Sequence, residues 1–208
     1  KIHLGSPNIL SKENLDLISV PPVPPIKKYK SGSLYVKYEK RFNRKTLLDG
    51  NRVYQLENIL VELIKVEGPI HKDILKERLK EVFRVKKIGA NINNNMEEAI
   101  KLAISAKSIE RKKGFMWKRG VEIVDFRLPS EDAKRTISNI APQEIALAIL
   151  FGVEDQFGIM RDQVPQIVFK IFKLNRTTPE EIDQIREVTD SLIDSGKLVL
   201  NGYRVNLP

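Results

Sequence analysis

EGPIHKDILKERLKEVF at residues 67–83 and FGIMRDQVPQIVFKIF at residues 157–172 are two renderings of one pattern, and the fold follows from reading them together. Each runs from a glycine turn through a short extended link, at Ile70 or Ile159, into an amphipathic helix that ends on phenylalanine. At a spacing of 89 residues Asp73 meets Asp162, Leu75 meets Val164, Leu79 meets Val168, Phe83 meets Phe172 and Ile104 meets Ile193. That spacing is too long for a solenoid repeat and suits a small domain.

Working outward, the likeness extends over Glu57–Trp117 and Glu144–Asn206. Leu56, Ile59, Leu60, Leu63 and Ile64 recur at helical spacing in Tyr54–Val66, and Pro142–Gln156 fills the same place in the second half. After each quoted stretch comes a long helix. The first runs from about Ala90 to Ala106; the second begins at Thr178-Pro179-Glu180-Glu181, a capping pattern, and stops before Gly196. Hairpins follow, around Lys112-Lys113-Gly114 and around Asn201-Gly202. Three helices and a hairpin are the plan of a winged helix. The expected fold is therefore mostly α with small β-hairpins (α+β): tandem winged-helix domains at residues 54–126 and 142–208, a connector at 127–141, and a largely irregular, proline-rich basic leader at 1–53.

Composition narrows the function. The chain of 208 residues is 41% hydrophobic and 30% charged, enough for a core in each half. No apolar run approaches the ~20 residues that span a bilayer, so no membrane partner is expected. The absence of cysteine removes disulfides, thiol catalysis and cysteine-bound zinc, and fits a cytoplasmic chain. His3 and His71 form no metal-ligand spacing, and no glycine-rich phosphate loop or nuclease carboxylate–lysine pattern is present. We expect no cofactor, no metal and no catalytic residue, hence not an enzyme. The chain opens with Lys1 instead of Met, which is compatible with a piece of something longer.

The net charge of +9 is unevenly spread: residues 1–53 carry +7, residues 54–126 carry +4, residues 127–141 carry +1 and residues 142–208 carry −3. A polyanion would meet the first half. In the leader, SVPPVPPI at 19–26 excludes helix, and Lys27–Lys45 interleaves eight basic residues with Tyr29, Tyr35, Tyr38 and Phe42. That segment reads as a solvated linker or as a nucleic-acid-binding arm, and Ser33–Tyr38 can form a strand docked on the first domain.

In the first domain, Asn91, Asn93, Asn94 and Asn95 open the third helix, where asparagine either reads adenine edges or simply starts a helix. Lys86 and Lys87 precede them, and Arg111, Lys112, Lys113, Lys118 and Arg119 decorate the hairpin; all are suited to phosphate contacts. The corresponding surface of the second domain, Asn175, Arg176, Glu180, Glu181, Asp183 and Gln184, would repel phosphate. His71 is expected to pack at a helix N-terminus with a ring nitrogen bonded to backbone. Phe115 and Trp117 either fill core or offer a stacking surface.

Glu67-Gly68-Pro69-Ile70-His71, followed by Leu75, Arg78 and Leu79, and later Phe115-Met116-Trp117, resembles an uncharacterised C-terminal domain family of bacterial and archaeal superfamily I DNA/RNA helicases. There the module follows a restriction-endonuclease-like (Vsr-like) domain. Ile140, Pro142, Glu144 and Ile145 look similar to the start of that family's second half, and the likeness covers roughly residues 52–208. The chain departs from the pattern after Phe83, where no glycine follows, and at Phe126-Arg127-Leu128, where the family tends to have paired arginines. The resemblance implies partners in the helicase and nuclease domains of one polypeptide. The expected function is a nucleic-acid-binding or positioning module that meets DNA or RNA through the first domain and the leader. The alternatives are a protein–protein docking scaffold and a stand-alone transcriptional regulator.

Overall fold

The computed structural model describes Tyr29 and residues 31–208; the proline stretch at 19–26 and the basic residues Lys27, Lys28 and Lys30 lie outside them. Among the described residues the fold is mostly helical, with two three-stranded antiparallel sheets and one two-residue parallel pair.

A short strand β1 (Ser33–Leu34) and a helical turn α1 (Lys45–Leu48) lead into α2 (Val53–Glu67), β2 (Ile70–His71), α3 (Lys72–Phe83), α4 (Ala90–Ser105) and the hairpin β3 (Ile109–Lys112) and β4 (Phe115–Lys118). After β5 (Arg127–Leu128) the plan recurs as α5 (Pro142–Asp155), β6 (Ile159–Met160), α6 (Val164–Ile171), α7 (Pro179–Asp194), β7 (Val199–Asn201) and β8 (Arg204–Asn206). In each unit the strand between the first two helices pairs with the last strand of the hairpin, giving orders β2-β4-β3 and β6-β8-β7.

The spacing of 89 holds in hydrogen-bond register. Ile70 faces Met116 as Ile159 faces Val205, and Arg111 faces Met116 as Leu200 faces Val205. Helices α4 and α7 also end alike. Lys107 N donates to Ile104 O and Ser108 N to Ala103 O; Gly196 N donates to Ile193 O and Lys197 N to Leu192 O. Apolar side chains on one face of each helix explain the shared plan. Leu56, Leu60, Leu63, Leu75, Leu79, Phe83, Met96 and Ala103 fill the first core, and Ile145, Ile149, Val164, Val168, Phe172 and Ile185 fill the second. The expected capping box forms at α7: Thr178 accepts from the Glu181 amide and the Glu181 carboxylate from the Thr178 amide. The second hairpin turns one residue later than Asn-Gly suggested, at Gly202 and Tyr203, with Asn201 closing β7.

Glycine is required at 158. Its φ is +97°, and a Cβ there would collide with the Asn206 side chain and come within 3.3 Å of Val205 O. Gly158→Ala is expected to lower stability by about 1–3 kcal/mol, read as a reduced urea midpoint at unchanged m. An unchanged midpoint would show that the turn relaxes freely.

The leader differs from the expected irregular linker. Tyr35, Tyr38, Thr46 and Leu47 are buried, and Tyr38, Leu47 and Val53 belong to the first core. Ser33–Leu34 does form a strand, but it pairs in parallel with Arg127–Leu128 instead of docking on the β2-β4-β3 sheet. Phe42 N donates to Val82 O, and its ring packs against Phe83. At its other end Tyr29 packs on the second core and its amide donates to Glu154. Tyr29 and residues 31–49 are thus a strap across both units. Phe126, placed by sequence at the end of the first domain, lies in the second core.

The strap and the connector meet at a buried ionic junction. Glu67, fully buried at the end of α2, accepts from Tyr35 Oη at 2.6 Å, Tyr38 N at 2.8 Å, Arg78 Nε at 2.5 Å and Arg78 Nη2 at 3.0 Å. Glu144, fully buried in the first turn of α5, accepts from Arg127 N at 3.1 Å, Nε at 3.0 Å and Nη2 at 2.5 Å, and from Arg135 Nη1 at 3.0 Å and Nη2 at 3.2 Å. Arg127 also donates to the backbone carbonyls of Glu67 at 2.6 Å and Pro69 at 2.8 Å, which ties one unit to the other. The Tyr35 ring lies against both guanidiniums, 4.9 Å from Arg127 and 4.5 Å from Arg135. Burial pushes the Glu144 carboxyl up, but its bonds to Arg127 and the two positive charges outweigh that and hold it below the ordinary carboxylate range.

Candidate nucleic-acid interface

The interface expected from sequence is built on α4 and the β3–β4 hairpin. Cross-strand register sorts the hairpin residues by face. Ile109, Arg111, Met116 and Lys118 share the face toward the first core; Glu110, Lys112, Phe115 and Trp117 share the other. Phe115 and Trp117 are buried with Ala141, so neither offers a stacking surface. Lys112 lies over the Trp117 ring at 5.3 Å and is paired with Glu110 at 2.6 Å. Arg111 is paired with Glu97 of α4 at 2.7 Å.

Lys86, Lys87, Lys113, Lys118 and Arg119 are exposed and carry no ion pair among the described residues. They do not form one patch. Lys86 and Lys87 precede the N-terminus of α4, whereas Lys118 and Arg119 sit at the base of the hairpin beyond its C-terminus, about 24 Å of helix away.

The asparagine run is divided. Asn91 Nδ2 donates to Leu48 O at 3.1 Å and the buried Asn95 Nδ2 to Leu47 O at 3.0 Å, so these two fasten the strap to α4. Neither caps the helix, whose N-cap is Gly89. Asn91 thus spends its amide N–H on the Leu48 carbonyl. Asn94 is exposed and Asn93 half-buried. His71 sits as expected: Nδ1 accepts from the Asp73 amide at 3.3 Å, and the ring meets Phe115 edge-on at 5.0 Å. Burial lowers its pKa.

The second unit presents a different surface. Glu180, Asp183 and Glu187 are exposed on α7, with Asp183 paired to Arg186 and Asp190 to Arg161. Phe157 and Tyr203 are 84% and 83% exposed. An open groove of about 620 Å³ lies between Thr136–Ser138 and the start of α7, walled by Arg176, Thr178, Glu180 and Gln184. Among the described residues no group of three or more His, Cys, Asp or Glu could hold a metal ion, and no helix is long and apolar enough to cross a membrane.

Glu67, Arg78 and Glu144 are motif residues in the sequence whose place in a buried ionic junction the motif alone does not reveal. A usable signal was present. Glu67 continues the Leu60, Leu63, Ile64 face of α2, and Arg78 sits between Leu75 and Leu79 on α3. Opposite charges on apolar faces announce a buried pair.

Comparison with known proteins adds one family. A family described as protein of unknown function (DUF3320) matches residues 46–94, from α1 into the first turn of α4. No curated protein and no solved structure matches the chain.

Proposed function

We propose that the chain is a tandem winged-helix module that binds or positions nucleic acid through its first unit, within a helicase- or nuclease-type protein. The strand order β2-β4-β3, with one strand between the first two helices and a hairpin after the third, supports the winged-helix reading, and its recurrence as β6-β8-β7 extends it to the second unit. The observation that carries the nucleic-acid reading is the set of exposed, unpaired cations on the first unit, opposed to the acidic α7 of the second. The likeness of Glu67–His71 to the helicase-associated family, and the match to DUF3320, supply the context.

The test is fluorescence anisotropy with single-stranded and duplex oligonucleotides over a salt series. Lys113→Glu, Lys118→Glu and Arg119→Glu together are expected to abolish tight binding at low salt and to remove about three from the log–log salt slope. An unchanged slope, or no binding by the unaltered chain at low salt, rejects this reading. The exposed Phe157 and Tyr203 favour a second reading for the second unit alone, as a surface that docks protein.

A further inference from the structure

Three pairs of non-terminal positions take left-handed backbone in both units at the spacing of 89. Arg84 and Lys173 have φ of 52° and 51°, Lys107 and Gly196 have 56° and 69°, and Lys113 and Gly202 have 45° and 61°. At the last two the second unit uses glycine, which adopts that region without steric cost. The first unit uses lysine, which is strained there. The helix ending at 107 and 196 makes the same backbone bonds in both units, so the geometry is shared and the side chain alone differs. Neither lysine is explained by packing: both are exposed and make no ion pair or side-chain hydrogen bond among the described residues.

Their placement is informative. Lys107 precedes Ser108, whose carbonyl accepts from the Arg119 amide at 3.4 Å, so Lys107, Lys118 and Arg119 gather at the hairpin base. Lys113 is at the tip, where the Gly114 carbonyl accepts from the Lys72 amide at 3.0 Å and brings exposed Lys72 alongside. Four residues of strand separate base from tip, roughly 13 Å. That length lets the two ends reach separate phosphates of one strand. Helix α4 is poorly disposed to read bases: the strap occupies Asn91 and Asn95, and its exposed stripe of Asn94, Glu98, Lys101 and Ser105 carries one charge of each sign.

We infer that the β3–β4 hairpin, not α4, holds nucleic acid, gripping phosphates without regard to sequence through Lys107 and Arg119 at one end and Lys72 and Lys113 at the other. This rests on the nucleic-acid reading above and adds Lys72 and Lys107 to its site.

The decisive variant is Lys107→Gly with Lys113→Gly, which places at each position the glycine that the second unit carries there. It is expected to bind oligonucleotides of unrelated sequence about tenfold more weakly and to lose about two from the salt slope. Its Tm is expected to rise by roughly 2–4 °C per substitution as the strain is relieved, which shows that the variant is folded. Weaker binding with higher stability is a combination that a structural role for these lysines does not produce. Wild-type-like binding by this variant overturns the hairpin proposal and leaves the broader reading standing. Absence of oligonucleotide binding by the unaltered chain overturns both. Loss of binding in Asn94→Ala with Lys101→Ala moves the site to α4 and overturns the proposal. Equal affinity for phosphatidylserine vesicles overturns nucleic acid as the partner.

Discussion

Replacing Glu144 with alanine is expected to cost about 3–5 kcal/mol of folding free energy, because it leaves the Arg127 and Arg135 guanidiniums at the junction without their shared carboxylate. Both arginines keep other bonds, Arg127 to the carbonyls of Glu67 and Pro69 and Arg135 to the carbonyl of Arg127, so they stay in place while their charge goes uncompensated. Urea unfolding of the variant measures the loss. Acid supplies an independent check. The Glu144 carboxyl is held below its ordinary value in the folded chain, so the folded state binds fewer protons than the unfolded one on the acid side. Its contribution is complete above the unfolded carboxylate value of about 4.3 and is lost as pH falls through the lower folded value. Glu144→Gln should flatten that acid limb. A loss below about 1 kcal/mol, together with an unaltered limb, would mean that the cluster is not a fixed part of the fold.

A chain beginning at Tyr54, where the sequence places the first domain, is expected to lose the cooperative transition that a chain beginning at Tyr29 keeps. The shorter chain lacks buried Tyr35, Tyr38 and Leu47, worth roughly 1.5–3 kcal/mol each. It also leaves Glu67 without the Tyr35 hydroxyl and the Tyr38 amide, and Asn95 without the Leu47 carbonyl. The sum approaches the total stability of an ordinary domain, about 5–15 kcal/mol. Calorimetry of the two chains decides it. Matching Tm values would return Tyr29–Val53 to the status of a linker.

The helices were legible because their apolar residues recur at three and four, and the hairpins because their turns need residues tolerant of positive φ. The strap was not, and the reason is physical. Tyr35 and Tyr38 flank Val36 and Lys37 in a segment whose basic composition looks solvated, and its core contacts come from residues far along the chain. Burial by distant partners leaves no local periodicity. The junction was half legible: Glu67, Arg78 and Glu144 attract notice as charges on apolar faces, but only topology brings Arg127 and Arg135 onto Glu144. At the candidate interface, residue types were readable and pairing was not. Nothing in the order of residues says that Arg111 is spent on Glu97, or that Asn91 turns back to Leu48.

The parallel pairing of β1 with β5 also gives the chain a mechanical direction. A tension pulling Tyr29 away from Pro208 runs along two strands that point the same way, so their bonds share the load in shear and do not open one at a time. The first attachment met is Tyr29 on Glu154, in the second unit; then come Ser33 on Phe126 of the second core and Tyr35 between its arginines, and last Leu47 in the first core. Force entering from upstream would thus free the second unit from the strap while the first still held it, unloading the acidic half before the basic one.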